Sequence, residues 1–380
     1  MIATLLAALA TAVGAVSGAV TAAPPSPVAS AAAPASTATP GANAAGPAAS
    51  LPLDQAVGQR MIGSLPGTTV PPALARQIRR GQLAGVILFA RNVGSRAQLR
   101  ALTDRLQAER RRGPRALRDR PLLVMIDQEG GLVKRLPGAP AQSAGDLGAR
   151  NDPALARRAG AATARNLRGV GVNVNLAPVL DLGLPGSYQR STERSYAATA
   201  AGVSRIGGAF ADGLRDGGVL ATAKHFPGLG RGPANEDERL NRIDVPLDLL
   251  RATDEAPFRD AARRGVPLVM VSTGIYPALD ERPAMFSPRI TTDELRDVVG
   301  FRGVTVTDDL EVSAIAHLTP ERKALASVRA GNDLLLFCQT AAAADRGAAA
   351  LVRAVRSGAI ERASIDAGAD RVLALRAGLR

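Results

Sequence analysis

The chain has 380 residues, 46% of them apolar, enough to bury a large core without disulfides and too many for a wholly disordered chain. Its net charge of +13 suits anionic membranes or wall polymers as neighbours, but the arginines are scattered and only 3% of residues are aromatic, so no basic-aromatic surface for nucleic acid is implied. The single cysteine, Cys338, excludes an internal disulfide and a thiolate metal site, and is read as a small core residue.

Residues 1–23, MIATLLAALATAVGAVSGAVTAA, are small and apolar with A-x-A-like sites near Ala22. They read as a signal peptide or N-terminal anchor, which implies a secreted or cell-envelope-associated protein. Residues 24–50 are uncharged and rich in Ala, Pro, Ser and Thr, a composition that buries no core and reads as a disordered linker. From residue 51 to 380 short apolar runs alternate with longer amphipathic stretches. The runs are RMIGSL (60–65), AGVILF (84–89), PLLVMID (121–127), VNVNLAPV (172–179), VLATAKHF (219–226), PLVMVST (267–273), GVTVTDD (303–309) and DLLLFC (333–338). They are rich in Val, Ile and Leu and mostly do not alternate, as expected of parallel strands covered on both faces. Between them lie helix signals, such as Asp152 as a cap ahead of Pro153. Eight strands each followed by a helix predict an α/β fold, a single (β/α)8 TIM-type barrel. An open doubly wound sheet is the rival, but no G-x-G-x-x-G and no phosphate loop is present.

A barrel builds its active site at the C-terminal ends of its strands, and polar residues collect at those positions. In order they are Asp127 with Gln128 and Glu129, then Asp181, Lys224 with His225, Ser272 with Thr273, and Asp308 with Asp309; Arg194 lies in the loop after the fourth run. Such a ring of carboxylates, cations and hydroxyls suits a polyhydroxylated ligand, which needs both donors and acceptors. Structural roles are also open to these residues: Asp308 or Asp309 as a helix cap, Lys224 as an ion-pair partner of Asp127 or Asp181, His225 as a core histidine. His317 is read as structural. Tyr196 and Tyr276 are the candidate stacking platforms for a sugar.

Seven stretches in order, GVILFARN, MIDQEGGLVKRL, VNLAPVLDL, ERSY, KHFPG, YPALD and GVTVTDDLEV, resemble glycoside hydrolase family 3, in particular its bacterial β-N-acetylhexosaminidases. The resemblance implies a barrel and a retaining exo-acting glycosidase that needs no cofactor or metal. Its implied substrate is N-acetylglucosamine-containing, peptidoglycan-derived carbohydrate of the cell wall, and a monomer is expected. It also implies Asp308 as nucleophile, and Asp127, Arg194, Lys224 and His225 as groups that hold sugar hydroxyls.

One loop departs from the family pattern. KHFPGHG followed by an Asp–His acid/base pair is replaced by KHFPGLG, with Leu229 for the first histidine and Asn235 and Asp237 for the pair. Thr273 stands where a further family histidine is expected. Asp237 and Glu236 are the candidate acid/base residues, since a carboxyl whose pKa is raised by burial can do this work. Two alternatives are a glycosyl-transferring or phosphorolytic enzyme that needs less acid assistance, and a sugar- or peptidoglycan-binding barrel without turnover. A lyase using Lys224 as a Schiff-base amine is a rival from another class.

Overall fold

The computed structural model describes residues 46–379. The expected signal or anchor segment, and the expected linker as far as residue 45, lie outside the described residues. Pro47–Ser50, at the end of that linker, form a 3-10 turn whose Ala48 amide donates to Asp370 Oδ1 at 2.7 Å.

Eight strands form the centre: β1 (Met61–Gly63), β2 (Gly85–Leu88), β3 (Leu123–Ile126), β4 (Val174–Asn175), β5 (Leu220–Phe226), β6 (Leu268–Val271), β7 (Val304–Thr307) and β8 (Leu335–Leu336). Neighbours pair in parallel in the order β7-β6-β5-β4-β3-β2-β1-β8. A bridge between Val306 and Leu334 joins β7 to the start of β8, with the Thr307 amide donating to the Leu334 carbonyl at 3.0 Å. The parallel ring is the (β/α)8 barrel that the alternation of runs predicts. Side chains alternate along each strand. Leu123 and Met125 of β3 join Ile87, Met270, Val306 and Leu336 inside the ring, whereas Val124 and Ile126 pack with the helices.

The principal outer helices are α1 (Pro72–Arg80), α2 (Arg96–Arg111), α3 (Pro153–Arg168), α4 (Ala200–Asp216), α5 (Ala256–Arg263), α6 (Pro320–Ala330), α7 (Ala341–Arg356) and α8 (Arg362–Ala377). A π-helix, Arg289–Val298, follows β6. Their starts follow local chemistry: Asp152 accepts from the Ala154 amide at 2.8 Å, and Ser95, Thr199, Thr319 and Thr340 cap α2, α4, α6 and α7 in the same way.

The structure differs from the sequence reading in two places. The run 172–179 pairs only over Val174–Asn175, because Pro178 has no amide to give a ladder; contact resumes where Val179 bridges to Lys224. Two hairpins, Gln128–Gly130 with Val133–Lys134 and Ile275–Tyr276 with Asp280–Pro283, follow the ends of β3 and β6. The first of these forms part of the wall of the cavity described next.

Candidate active site

A cavity of about 270 Å³ opens at the C-terminal end of the barrel. Its floor is apolar, made by Ile87, Leu176, Met270, Leu336 and Cys338, residues of the barrel interior. Its walls carry Asp127, Glu129, Arg194, Lys224, His225, Glu236, Asp237 and Asp308. The seven residues given a catalytic or sugar-holding role from the sequence therefore share one cavity with Glu129, although they come from five segments of chain.

Lys224, at the end of β5, is buried with its Nζ 2.9 Å from Asp127 Oδ1 and 2.7 Å from Glu129 Oε1. Glu129 also receives Arg194 through a two-pronged contact, Nε and Nη2 donating at 2.9 and 3.0 Å. Burial alone would raise the Glu129 pKa, but Arg194 and Lys224 outweigh it and hold the carboxyl at about 2. Burial would likewise lower the Lys224 and Arg194 pKa values, and their carboxylate partners raise both on balance. The result is a fixed lattice of charge along the cavity wall, in which Lys224 is a paired ammonium. A paired ammonium is not an amine nucleophile, which argues against the lyase reading.

His225 is held from behind. Its Nδ1 lies 2.7 Å from Asp181 Oδ2, and Asp181 Oδ1 accepts from the amides of Leu229 at 2.7 Å and His225 at 3.2 Å. Asp181 thus orients the ring and leaves Nε2 toward the cavity. Burial lowers the His225 pKa, but Asp181 and then Glu236 raise it overall.

Glu236 is only 4% exposed. Its Oε1 sits 3.5 Å from His225 Nε2 and 3.7 Å from Arg194 Nη1, while Oε2 has no hydrogen-bond partner. Asp308, just past β7, accepts from the Asp309 amide through Oδ1 at 2.9 Å, and its Oδ2 is buried without a partner. The functional atoms of His225, Glu236 and Asp308 lie within 4.8 Å of one another. One imidazole and two carboxylates at that spacing could also hold a divalent cation. Burial pushes the Asp308 carboxyl up to about 7; His225 opposes the rise, and Glu236 and Asp237 add to it.

The two candidate acids occupy different ground. Glu236 is inside the cavity, whereas Asp237 lies at its exposed rim with its carbonyl accepting from Ser313 Oγ at 2.8 Å. The Asp237 carboxyl still titrates above its ordinary range, through burial of the group first and the Glu236 charge second. Neither aspartate caps a helix: Asp309 Oδ1 accepts from the Glu311 amide at 2.8 Å in the turn after β7, and the next helical segment, Ser313–Ile315, starts at Val312 with no side-chain cap.

Other expectations are corrected. Tyr276 and Tyr196 are buried, not sugar platforms: the Tyr276 hydroxyl donates to the Gly228 carbonyl at 3.0 Å, and Tyr196 packs on Phe210. Ser272 and Thr273 are also fully buried, Ser272 Oγ lying 3.1 Å from the Tyr276 hydroxyl, and neither lines the cavity. The aromatic rings that do border it are Phe89 and Tyr188. Arg135, 3.7 Å from Asp127 through Nη2, was missed as well. Its signal was present at the end of QEGGLVKRL, where the hairpin turns the chain back over the cavity. His317 is exposed and lies outside.

Residues 55–375 match the family described as Glycosyl hydrolase family 3 N terminal domain. A protein of Arthroderma benhamiae, named an uncharacterized secreted glycosyl hydrolase, is 36% identical over 341 residues, 87% of this chain and 96% of its own. A beta-hexosaminidase of Methylobacillus flagellatus is 34% identical over 290 residues, 73% of this chain and 80% of its own. Among solved structures, a beta-N-acetylhexosaminidase from Beutenbergia cavernae is similar with a TM-score of 0.79 and 32% identity, covering 86% of this chain and 98% of that one. A family 3 beta-N-acetylglucosaminidase from Paenibacillus sp. str. FPU-7 gives a TM-score of 0.82 at 35% identity over 87% of this chain, which spans 63% of that longer protein. With its charged cavity at the mouth of the barrel and relatives matched along most of its length, the chain belongs to glycosyl hydrolase family 3 and is a β-glycosidase.

Proposed function

We propose that the protein is a retaining, exo-acting β-N-acetylhexosaminidase that removes terminal N-acetylglucosamine from cell-wall material through a covalent intermediate on Asp308, with Glu236 as acid/base. The observation that carries the mechanism is the spacing of Asp308 and Glu236, whose facing oxygens lie within 4.8 Å. Retaining glycosidases place their two carboxyls about 5–5.5 Å apart, whereas inverting ones need about 6.5–9.5 Å to admit a water. The cavity, about 270 Å³, suits one sugar ring and so an exo mode of attack. The sugar identity rests on the relatives named for N-acetylhexosaminides and N-acetylglucosaminides. Secretion rests on the expected leader and on the Arthroderma relative's name. Among the described residues no helix is long and apolar enough to cross a membrane.

The Asp127, Lys224, Glu129 and Arg194 lattice orients the sugar hydroxyls, and His225, with its Nδ1–H donated to Asp181, donates from Nε2 as the imidazolium that Asp181 and Glu236 favour against burial. Asp308 attacks the anomeric carbon as the carboxylate while Glu236 gives its proton to the glycosidic oxygen. The carbon–oxygen bond breaks and a glycosyl ester on Asp308 forms. Glu236 then takes a proton from water, which attacks the same carbon and releases Asp308. Asp308 must act as the carboxylate in this step, a form that its pKa of about 7 leaves populated near neutral pH. Glu236 is preferred over Asp237 because it lies inside the cavity against His225 and Arg194.

A set of β-N-acetylglucosaminides with good and poor leaving groups tests the reading. Asp308→Asn abolishes turnover of all of them. Glu236→Gln loses about 10²–10⁴ in kcat/KM on poor leaving groups and much less on activated aryl glycosides. Azide restores its rate and yields the β-glycosyl azide. Asp237→Asn stays near the parent. Full activity of Asp308→Asn, or equal loss on both classes in Glu236→Gln, overturns the assignment. A parent that binds peptidoglycan but hydrolyses none of the set supports the non-catalytic barrel instead, which the replacement of the expected loop histidines by Leu229 and Asp237 favours.

A further inference from the structure

The opposite end of the barrel carries a second concentration of charge that the glycosidase reading does not use. Helices run back against the strands, so the C-terminal ends of α2 and α8 meet the segment that enters β3 there. Arg110 of α2, Arg120 ahead of β3 and Arg376 of α8 converge at this point. Arg376 is fully buried and spends its guanidinium on neutral acceptors: Nε donates to the Pro121 carbonyl at 2.8 Å, Nη2 to the Arg120 carbonyl at 2.7 Å, and Nη1 to Gln59 Oε1. Arg120 Nη1 donates to the Leu373 carbonyl at 2.8 Å.

Arg110 is the exception. It is 0% exposed, its Nε reaches the Arg120 carbonyl at 3.3 Å, and both Nη atoms are buried with no acceptor. Among the described residues no carboxylate pairs with it. The adjacent Glu109 is already shared among Arg79, Arg105 and Arg112. Burial, then the Arg120 charge, pushes the Arg110 pKa down to about 10, and burial, Arg110 and Arg120 together depress that of Arg376. A buried cation without a counter-charge is costly, and an orphaned fork of donors asks for an anion that fits it.

Arg110 also forms part of the wall of a cavity of about 290 Å³, with Arg111, Arg118 and Gln107 around it. Arg111 and Arg118 are exposed and make no ion pair among the described residues. Asp119, the one acid of that lining, is exposed and pairs with none of these arginines. We propose that this cavity at the foot of the barrel binds a phosphate-type oxyanion, either as inorganic phosphate or as the phosphodiester of an anionic polymer, through the open fork of Arg110 with Arg111 and Arg118 closing over it. Two parallel donors plus two exposed cations favour a multiply charged tetrahedral anion over a single carboxylate. The site lies across the barrel from the glycosidase cavity, so a polymer held there leaves the sugar pocket open.

Thermal unfolding in sodium phosphate is compared with sodium chloride at matched ionic strength. Phosphate raises the parent Tm by roughly 2–5 °C at concentrations well above its Kd. Arg110→Met shows no phosphate-dependent rise, and in chloride it melts at or above the parent because a buried uncompensated charge is gone. The double variant Arg111→Ala, Arg118→Ala keeps the buried residue and so folds, and it broadens the phosphorus resonance of inorganic phosphate at least several-fold less than the parent. A second arm replaces phosphate by poly(glycerol phosphate): a matching Tm rise identifies the polymer as the source, and a rise with inorganic phosphate alone identifies the free ion. A phosphate effect no larger than that of chloride, or one equal in parent and Arg110→Met, overturns the proposal.

Discussion

Asp308 carries the most informative single pKa in the molecule. Burial pushes it up to about 7 from an ordinary 3.8, with Glu236 and Asp237 adding to the rise and His225 resisting it. A carboxyl that holds its proton more tightly in the folded state makes stability fall as pH rises between its unfolded and folded values. The folded protein therefore loses stability from about pH 4 to about pH 7 on account of this one group. His225, whose pKa burial lowers but Asp181 and Glu236 raise on balance, adds a fall of the same sign as pH rises through its folded value. Asp308→Asn removes the carboxyl term. That variant is expected to be more stable than the parent above pH 7 by up to ~4 kcal/mol, with the difference vanishing near pH 4. Urea unfolding at a series of pH values measures it, and a variant less stable than the parent at pH 8 contradicts the burial of an unneeded charge. At this scale much of the cavity lining was legible in the sequence. Asp127, Lys224 and Asp308 end apolar strand runs, and such positions face the barrel mouth. Tyr188 was not legible, since a short loop helix that periodicity does not signal brings it to the cavity, and Arg135, though its stretch QEGGLVKRL was marked, reaches the cavity only because a hairpin turns the chain back. Tyr276 looked like a platform because sequence does not reveal that its ring is spent sealing the loop at Gly228.

Strands and helices were the most readable level, because burial on both faces erases alternation in short Val- and Leu-rich runs and caps mark helix starts. What the pattern could not supply was how closely the elements approach. Helices α3 and α4 cross through glycines: a Cβ on Gly160 would lie 2.1 Å from the Phe210 carbonyl oxygen, and one on Gly213 would lie 2.1 Å from that of Arg157. Propensity alone says that Ala in place of a mid-helix Gly should stabilise by about 1 kcal/mol. Backbone atoms at that distance cannot turn aside as a side chain can, so the helices must separate and the packing around Phe210 must open. Gly160→Ala is therefore expected to destabilise the protein by more than about 2 kcal/mol in chemical denaturation. A stabilised variant would show that the two helices separate at little cost.

Closure decides whether the barrel behaves as one body. The seam between its last strand and its neighbours rests on Asp333, which is fully buried at the start of β8. One carboxylate oxygen takes Arg296 at 2.7 Å and the Thr305 amide of β7 at 2.9 Å; the other takes Arg371 of α8 at 2.7 Å. The Asp333 carbonyl also receives Arg60, just before β1, at 3.2 Å. The first strand, the last two strands, the π-helix and the final helix thus meet at a single residue, and only the π-helix and β7 are near each other in sequence. Asp333→Ala leaves Arg296 and Arg371 without their counter-charge and is expected to cost about 3–5 kcal/mol. At roughly 2–4 °C per kcal/mol, the Tm falls by about 6–20 °C. Because the seam joins the first strand to the last, the loss is shared by the whole ring. Far-ultraviolet circular dichroism and hydrogen exchange at Met61–Gly63 should then report one common transition, as in the parent. A separate early transition confined to α8 would show instead that the final helix is an independent unit resting on an already closed barrel.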